Sequence, residues 1–295
     1  MDVLDITLIK LLLANSRQSY RGLAEKVGLS VNAVHKRIQA LCDQGTIHSF
    51  TTKISMHTLD VIHILLSGQV DSSNFTQLQD ELGMNPDVYW VTMASGNILY
   101  VGAYLQDIKD LGNLVDFVSQ KGMKSPKIGI IKYENTKANY SLLQPLDIEI
   151  LTQLRNDSRR SVTDIATEIG VSAKTVRRRL GVIIDERLVE FSLEWYPDSD
   201  NEILAFMHLK VENTLNKEEL HRLLVSYQPH AFFFWNFSNL PKEMVAIFWY
   251  QNTKEIREVT RKLVQEESIV SCIPEIIYSG KIFNTWRDKL LEIKK

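Results

Sequence analysis

The chain has 295 residues, 44% of them hydrophobic and 24% charged, with a formal net charge of −2. That composition is close to the average of soluble folded domains and excludes a disordered or collagen-like chain. Its length suits two units of roughly 150 residues, each large enough to bury a core. No apolar run approaches the ~18–20 residues that a membrane span needs, and Lys10 interrupts the first candidate, around Leu8 and Leu11. The first residues, Met1-Asp2-Val3-Leu4-Asp5, carry acids where a signal peptide carries bases, so a cytoplasmic location is expected and a membrane partner is not. Cys42 and Cys272 have no CxxC spacing, so neither a disulfide framework nor a metal site is expected. A pI near 6.4 lacks the bulk basic footprint of many DNA-binding domains, so any nucleic-acid reading must come from local charge.

In chain order, Leu4, Leu8, Leu11 and Leu12 form one apolar helical stripe. A shorter helix spans 19–27 and closes at Gly28, suited to the left-handed C-terminal position. Ser30 then stands as the N-cap of a third helix carrying Val34, Ile38 and Leu41 inward. Helix, helix, tight turn, helix is the helix-turn-helix layout, and a strand over 47–54 would form its wing. From residue 62 the period changes to strand 62–70, helix 74–82, strands 88–94 and 98–105, helix 108–119 and strand 128–133. That is the βαββαβ order of a ferredoxin-like domain.

The chain then repeats itself. Leu4-Asp5-Ile6 recurs as Leu146-Asp147-Ile148, an offset of 142 residues, and Ser16-Arg17, Ser19, Ala24, Gly28, Ser30, Val34 and Arg37 all recur in that register. The second copy has its wing strand over 188–195 and its βαββαβ elements at 203–211, 217–225, 231–237, 244–249, 253–263 and 269–278. The expected fold class is α+β, with two winged helix-turn-helix domains (1–55 and 146–197) alternating with two ferredoxin-like domains (60–133 and 202–280). A linker is expected over 134–145 and an amphipathic C-terminal helix over 281–295, with Ile282, Phe283, Trp286 and Leu290 on its apolar side.

On a helix turning ~100° per residue with Val34 facing the core, Asn32, Lys36 and Gln39 point outward with His35 on a shoulder. The outward set of the second copy is Lys174 and Arg178, with Thr175 and Arg177 on the shoulders. With the caps Ser30 and Ser172, these are the candidate DNA-contacting residues, because Asn suits adenine, Arg suits guanine and Lys finds phosphate. Over 4–50 the bases Lys10, Arg17, Arg21, Lys26, Lys36 and Arg37 outnumber Asp5, Glu25 and Asp43, and 174–179 holds four bases and no acid. The two outer faces differ at nearly every position, so an asymmetric site on double-stranded DNA is expected. Arg37 and Arg179 lie instead on the flank of the apolar stripe, each 32 residues after an acid, Asp5 and Asp147. They read as repeated structural pairs tying the first helix to the third.

This combination resembles the Lrp/AsnC (feast/famine) family of regulators, through Leu4-Asp5, Ser16-Arg17, Leu23-Ala24, Gly28-Leu29-Ser30, Val34, Arg37-Ile38, Leu41 and Gly45-x-Ile47. Arg187 stands where the second copy would have that Gly45. The resemblance implies a sequence-specific DNA-binding transcriptional regulator that assembles through the βαββαβ domains. It implies an intramolecular pseudo-dimer here, with further homo-oligomerisation, and the runs Phe232-Phe233-Phe234-Trp235 and Ile247-Phe248-Trp249-Tyr250 supply apolar surface for pairing. It also implies a small effector, commonly an amino acid, near the loop between the second and third strands, here Ser95-Gly96-Asn97 and Ser238-Asn239. A plain tight turn explains Gly96-Asn97 equally. No cofactor is expected. Relatives of the same double architecture include sirohaem decarboxylases, marked by a His-Asn-Tyr segment, whereas this chain has Tyr89-Trp90-Val91 and Phe234-Trp235-Asn236. With no P-loop, nucleophile elbow or HExxH motif either, the sequence reads as non-enzymatic. The alternatives are an enzyme of that decarboxylase type and an architectural or protein-interaction protein.

Overall fold

The computed structural model describes residues 1–71, 74–132, 142–195 and 203–292. The first copy opens with helices α1 (Val3–Ala14), α2 (Tyr20–Val27) and α3 (Val31–Asp43), then strand β1 (Ile47–Ile54) and the short α4 (Met56–Leu59). It continues through β2 (Ile62–Gln69), α5 (Phe75–Gly83), β3 (Val88–Ala94), β4 (Ile98–Leu105), α6 (Leu111–Gln120) and β5 (Lys124–Ile130). The second copy repeats the order with α7 (Pro145–Leu154), α8 (Val162–Glu168), α9 (Ala173–Asp185) and β6 (Val189–Trp195). After them come β7 (Ile203–Val211), α10 (Lys217–Ser226), β8 (Ala231–Asn236), β9 (Glu243–Tyr250), α11 (Thr253–Leu263), β10 (Ile269–Ile282) and α12 (Trp286–Lys289).

Contacts divide the chain into two units, each drawn from both copies. The first comprises Met1–Val61, Asn135–Ser199 and Trp286–Lys295; the second comprises Ile62–Glu134 and Asp200–Thr285. Of the expected linker, residues 134–141 lie outside the described residues, as do 196–202 between the second copy's domains and 293–295 of the expected C-terminal helix.

In the first unit, local chemistry fixes the helix ends. Ser19, Ser30, Ser161 and Ser172 each accept a hydrogen bond from the backbone N–H three residues on, at 3.0–3.1 Å. Gly28 (φ 68°) and Gly170 (φ 72°) take the left-handed position between α2 and α3 and between α8 and α9. Of the expected first stripe, Leu8 and Leu12 are buried and Leu4 and Leu11 half-buried, with Ile6 buried beside them; Leu23, Val34, Ile38 and Leu41 are buried, as are Ile150, Leu151, Leu154, Ile165, Val176, Leu180 and Ile183 in the second copy. Neither copy has a second wing strand among the described residues. Instead β1 and β6 pair with each other, antiparallel, in a two-stranded ribbon. A bulge between Ile47 and Ser49 adds a residue to β1. That places Phe50, one position beyond the repeat register, where Phe191 stands in β6: their carbonyls accept from Ser158 N (2.9 Å) and Ser16 N (3.0 Å).

The second unit is an eight-stranded sheet, ordered β5-β2-β4-β3-β10-β7-β9-β8. Each half has the ferredoxin-like order, and the halves join where β3 pairs with the end of β10. At the opposite ends, Lys132 N bonds Asn236 O and Ser238 N bonds Ile130 O, both at 2.8 Å, so the two outermost strands also meet. The helices cover one face of each half, over Leu66, Leu82, Val101 and Val118 in the first and Met207, Leu223, Phe248 and Leu263 in the second. The other face of both halves shares a core of Leu65, Tyr100, Phe206, Phe237 and Val245. The aromatic run divides between the two faces, Phe234 packing toward the helices and Trp235 toward that shared core.

The C-terminal element differs from expectation. β10 runs on to Ile282, pairing Lys281 with Val91 and Ile282 with Trp90, and Phe283 N bonds Tyr89 O at 2.8 Å. Among the described residues the helix is confined to Trp286–Lys289. The apolar spacing of 282–290 fits a helix, but the open edge of β3 offers unpaired backbone groups that a strand satisfies.

Candidate DNA-binding surface

The third helices α3 and α9 carry the sequence-predicted readers on their outer sides. Asn32, His35, Lys36 and Gln39 are exposed on α3, and Lys174, Arg177 and Arg178 on α9, with Thr175 half-buried. Ser30 and Ser172 act as N-caps, and Ser172 Oγ lies 2.9 Å from Thr175 Oγ1. Gln39 donates to Asp43 Oδ1 at 2.9 Å.

The bases of the first copy are less available than their count suggests. Burial pushes the Lys10 ammonium down to about 8. Arg21 pairs with Glu25 at 3.2 Å, and Arg37 donates to Asp5 at 2.7 Å and reaches Asp2 at 2.9 Å. Arg17 turns inward, donating to the carbonyls of Ser158 and Arg160. Lys36 on α3 remains exposed and makes no ion pair among the described residues. In the second copy Arg179 is drawn out of the basic run by Asp147, with Nε and Nη2 donating to its two carboxylate oxygens at 2.7 and 2.5 Å. Lys174, Arg177 and Arg178 stay outward.

What joins the two helix-turn-helix copies is a reciprocal contact. Ser16 Oγ lies 2.5 Å from Ser158 Oγ. Arg17 donates to Ser158 O while Arg159 donates to Ser16 O at 2.5 Å. Each guanidinium also covers an aromatic ring of the ribbon, Arg17 over Phe191 at 5.6 Å and Arg159 over Phe50 at 5.5 Å. Sequence reasoning saw Ser16-Arg17 and Ser158-Arg159 as a repeat but not as a junction. Their doubled Arg beside a doubled Ser was the available signal. Arg159 additionally lies 4.5 Å from the Tyr20 ring centroid, and Tyr20 packs on His35 of α3 with centroids 4.9 Å apart. The first copy's α3 is thereby buttressed by the second copy. Val162 and Arg177 occupy the positions 142 residues on from Tyr20 and His35 and form no such stack.

The expected effector loops have structural roles. Gly96 (φ 76°) and Asn97 (φ 58°) form a tight turn whose Asn97 O accepts from Val70 N at 3.0 Å, and Ser95 Oγ accepts from Ile276 N at 3.1 Å. Asn239 accepts from Ile130 N and donates to Ile128 O, both at 2.8 Å, and Ser238 Oγ donates to Ile130 O at 3.3 Å. Those two side chains continue the pairing at the edge of β5. Among the described residues no group of three or more His, Cys, Asp or Glu could hold a metal ion, and no helix is long and apolar enough to cross a membrane.

Comparison with known proteins identifies the helix-turn-helix copies. Residues 1–48 match the family of winged helix-turn-helix DNA-binding domains, and residues 143–181 match the AsnC-type helix-turn-helix domain. An uncharacterized HTH-type transcriptional regulator of Pyrococcus furiosus is 31% identical over 112 residues, 37% of this chain and 76% of the relative. The regulator Ptr1 of Methanocaldococcus jannaschii is 22% identical, over 41% of this chain and 81% of its own length. A Pyrococcus horikoshii HTH-type regulator is 36% identical over 59 residues, 20% of this chain, and the match spans only 40% of that relative. Among solved structures, the siroheme decarboxylase NirDL matches 97% of this chain and 96% of its own, with a TM-score of 0.60 and 12% identity. This last match corrects the non-enzymatic reading. The same tandem fold, end to end, is that of an enzyme, so missing nucleophile and metal motifs exclude only the chemistries those motifs serve.

Proposed function

Because the chain belongs to the Lrp/AsnC family of helix-turn-helix transcriptional regulators, we propose that it binds double-stranded DNA as an intramolecular pair of readers, α3 and α9. The observation that carries this is the reciprocal Ser16–Arg17 and Ser158–Arg159 junction, which holds two helix-turn-helix copies in one folded unit. A single chain then supplies what a homodimer of one-copy subunits would supply, but with unlike faces. Asn32, His35, Lys36 and Gln39 would address one half-site, and Lys174, Thr175, Arg177 and Arg178 the other. Further assembly of whole chains, and response to a small effector such as an amino acid, belong to this reading through the family.

The test is selection of bound fragments from sheared genomic DNA, repeated across salt concentrations. A shared asymmetric sequence, bound more weakly as salt rises, is the expected result. Two identical half-sites, or binding blind to sequence, would overturn it. A second reading rests on the whole-chain likeness to NirDL, which has also been solved with an iron-uroporphyrin III analogue: a tetrapyrrole ligand for the βαββαβ unit. Titration of the purified chain with an iron tetrapyrrole, read by the absorbance of the bound pigment, decides it.

A further inference from the structure

The second unit contains a cavity of about 440 Å³ walled by β2, β4, β5, β7, β10 and the start of β9. Its position is set by an irregularity in β5. Ser67 and Gln69, two apart on β2, pair with Lys127 and Lys124, three apart on β5. The extra residue falls at Ser125-Pro126, where Ser125 takes a left-handed φ of 44° and Pro126 has no N–H to give. In a regular strand, side chains three apart face opposite ways. The bulge brings Lys124 and Lys127 to the same cavity, which Lys210 also lines.

The inner wall is a polar cluster. Tyr100 donates its single proton to Glu275 Oε2 and meets His208 Nε2 at the same oxygen. That oxygen can then only accept from His208, which fixes the imidazole with its proton on Nε2 and its Nδ1 as a bare acceptor. Glu275 Oε1 and His208 Nδ1 have no hydrogen-bond partner among the described residues. The inner end therefore offers only acceptors and asks for donors. Burial and the nearby Lys127 push His208 down to about 4, so it is neutral at physiological pH. Three lysines and two glutamates, Glu243 and Glu275, line the cavity. Lys127 pairs with Glu243 and Lys124 with Asp71, whereas Lys210 makes no ion pair among the described residues.

We propose that this cavity binds a small polyhydroxylated monocarboxylate of the sugar-acid class, its carboxylate at Lys210 and its hydroxyls on Glu275 and His208. At the ~30 Å³ that a water occupies, the volume suits a ligand of up to about fifteen heavy atoms. The test is calorimetric titration of the full chain with D-gluconate, with no DNA present, so that failure leaves the DNA reading untouched. Gluconate should bind, while glucose (no acid) and hexanoate (no hydroxyls) should not. Lys210→Met and Glu275→Gln should each weaken binding about tenfold, the size of one hydrogen bond to a charged group. Lys210 is exposed, and the amide oxygen that Glu275→Gln introduces still accepts from Tyr100, so neither change threatens the fold. No binding of gluconate at millimolar concentration, equal binding by both variants, or preference for glutamate, which carries an ammonium, would overturn the proposal.

Discussion

Asp147→Ala should destabilise the first unit far more than Asp5→Ala, although the two acids occupy the same place in the repeat. Asp147 is fully buried and its partner Arg179 is 8% exposed. The carboxylate accepts two bonds from Arg179, at 2.7 and 2.5 Å, and one from Gln144 N at 2.8 Å. Removing it leaves a buried guanidinium without its counter-charge, a loss of about 3–5 kcal/mol. In the first copy Arg37 is 32% exposed, and Asp2 at 2.9 Å remains after Asp5 is gone. Water and the second acid hold that loss near ~1 kcal/mol. For a unit of this size the difference is a fall in Tm of roughly 8–16 °C for Asp147→Ala against a few degrees for Asp5→Ala. Scanning calorimetry on the whole chain, with the transition of each unit assigned separately, measures both. Replacing the pair together, as Asp147→Leu with Arg179→Met, should recover most of the stability. Equal losses for the two acids, or a double variant no better than Asp147→Ala, would refute the burial argument.

Arg178→Ala should lower DNA affinity by about 1–3 kcal/mol and relax choice at one position, whereas Lys36→Ala, if it meets phosphate, should weaken all sequences alike and reduce the salt slope by about 1. Footprinting of the selected site across salt concentrations separates the two. The second unit should lose stability as pH falls from about 6.5 to about 4, because burial holds the folded His208 at about 4 while the unfolded imidazole binds its proton near 6.5. His208→Gln removes that slope. Glu275, pushed up by burial, takes up its proton more readily when folded and acts in the opposite direction, so the comparison of the two His208 forms isolates the imidazole. Burial pushes the Cys272 thiol up to about 12 and raises Cys42 as well, so both should resist iodoacetamide at pH 8 in the folded chain and react promptly in urea. Arg159→Met should weaken the first half-site more than the second, since it removes the guanidinium from the Tyr20 ring on which His35 rests.

The helices of the reading domains were legible because each carries its own start, stop and stripe within a dozen residues: Ser30, Gly28 and the Val34–Ile38–Leu41 spacing suffice without knowledge of the rest. What depended on distant chain was not. β5 begins at Lys124, but the expected strand opened at Ile128 because Lys124, Pro126 and Lys127 break the apolar alternation. The stretch from Lys281 has a helical period, yet the edge of β3, nearly two hundred residues earlier in the chain, takes Lys281 and Ile282 as the end of a strand and leaves the helix to Trp286–Lys289. Tyr100, His208 and Glu275 meet only because the two halves of the sheet share a core, and no local spacing announces that. The end-to-end likeness to a decarboxylase was not legible for another reason: a sequence motif marks one particular chemistry, and a shared fold carries none.

Duplication within one chain explains why the asymmetries recur. A one-copy dimer must repeat every change on both sides of its axis, so a residue that helps one half-site is imposed on the other. Here the backbone keeps the two-fold relation while the side chains depart from it. Tyr100 lies opposite Ser67 in the first half-sheet, and Val245 lies opposite His208 in the second, so the hydroxyl and the imidazole have Val245 and Ser67 as their counterparts. By the same pairing Glu275, opposite Phe206, corresponds to Gly129, opposite Leu65. The polar cluster therefore exists once, assembled from one residue of the first copy and two of the second, and its symmetry mate contains neither acid nor imidazole. Tyr20 and His35 against Val162 and Arg177 show the same departure in the reading unit, as does the sealed Asp147–Arg179 pair against the open Asp5–Arg37 pair. Each is a heterologous arrangement that a symmetric dimer could not hold singly, and together they favour one ligand site and two unlike half-sites per chain.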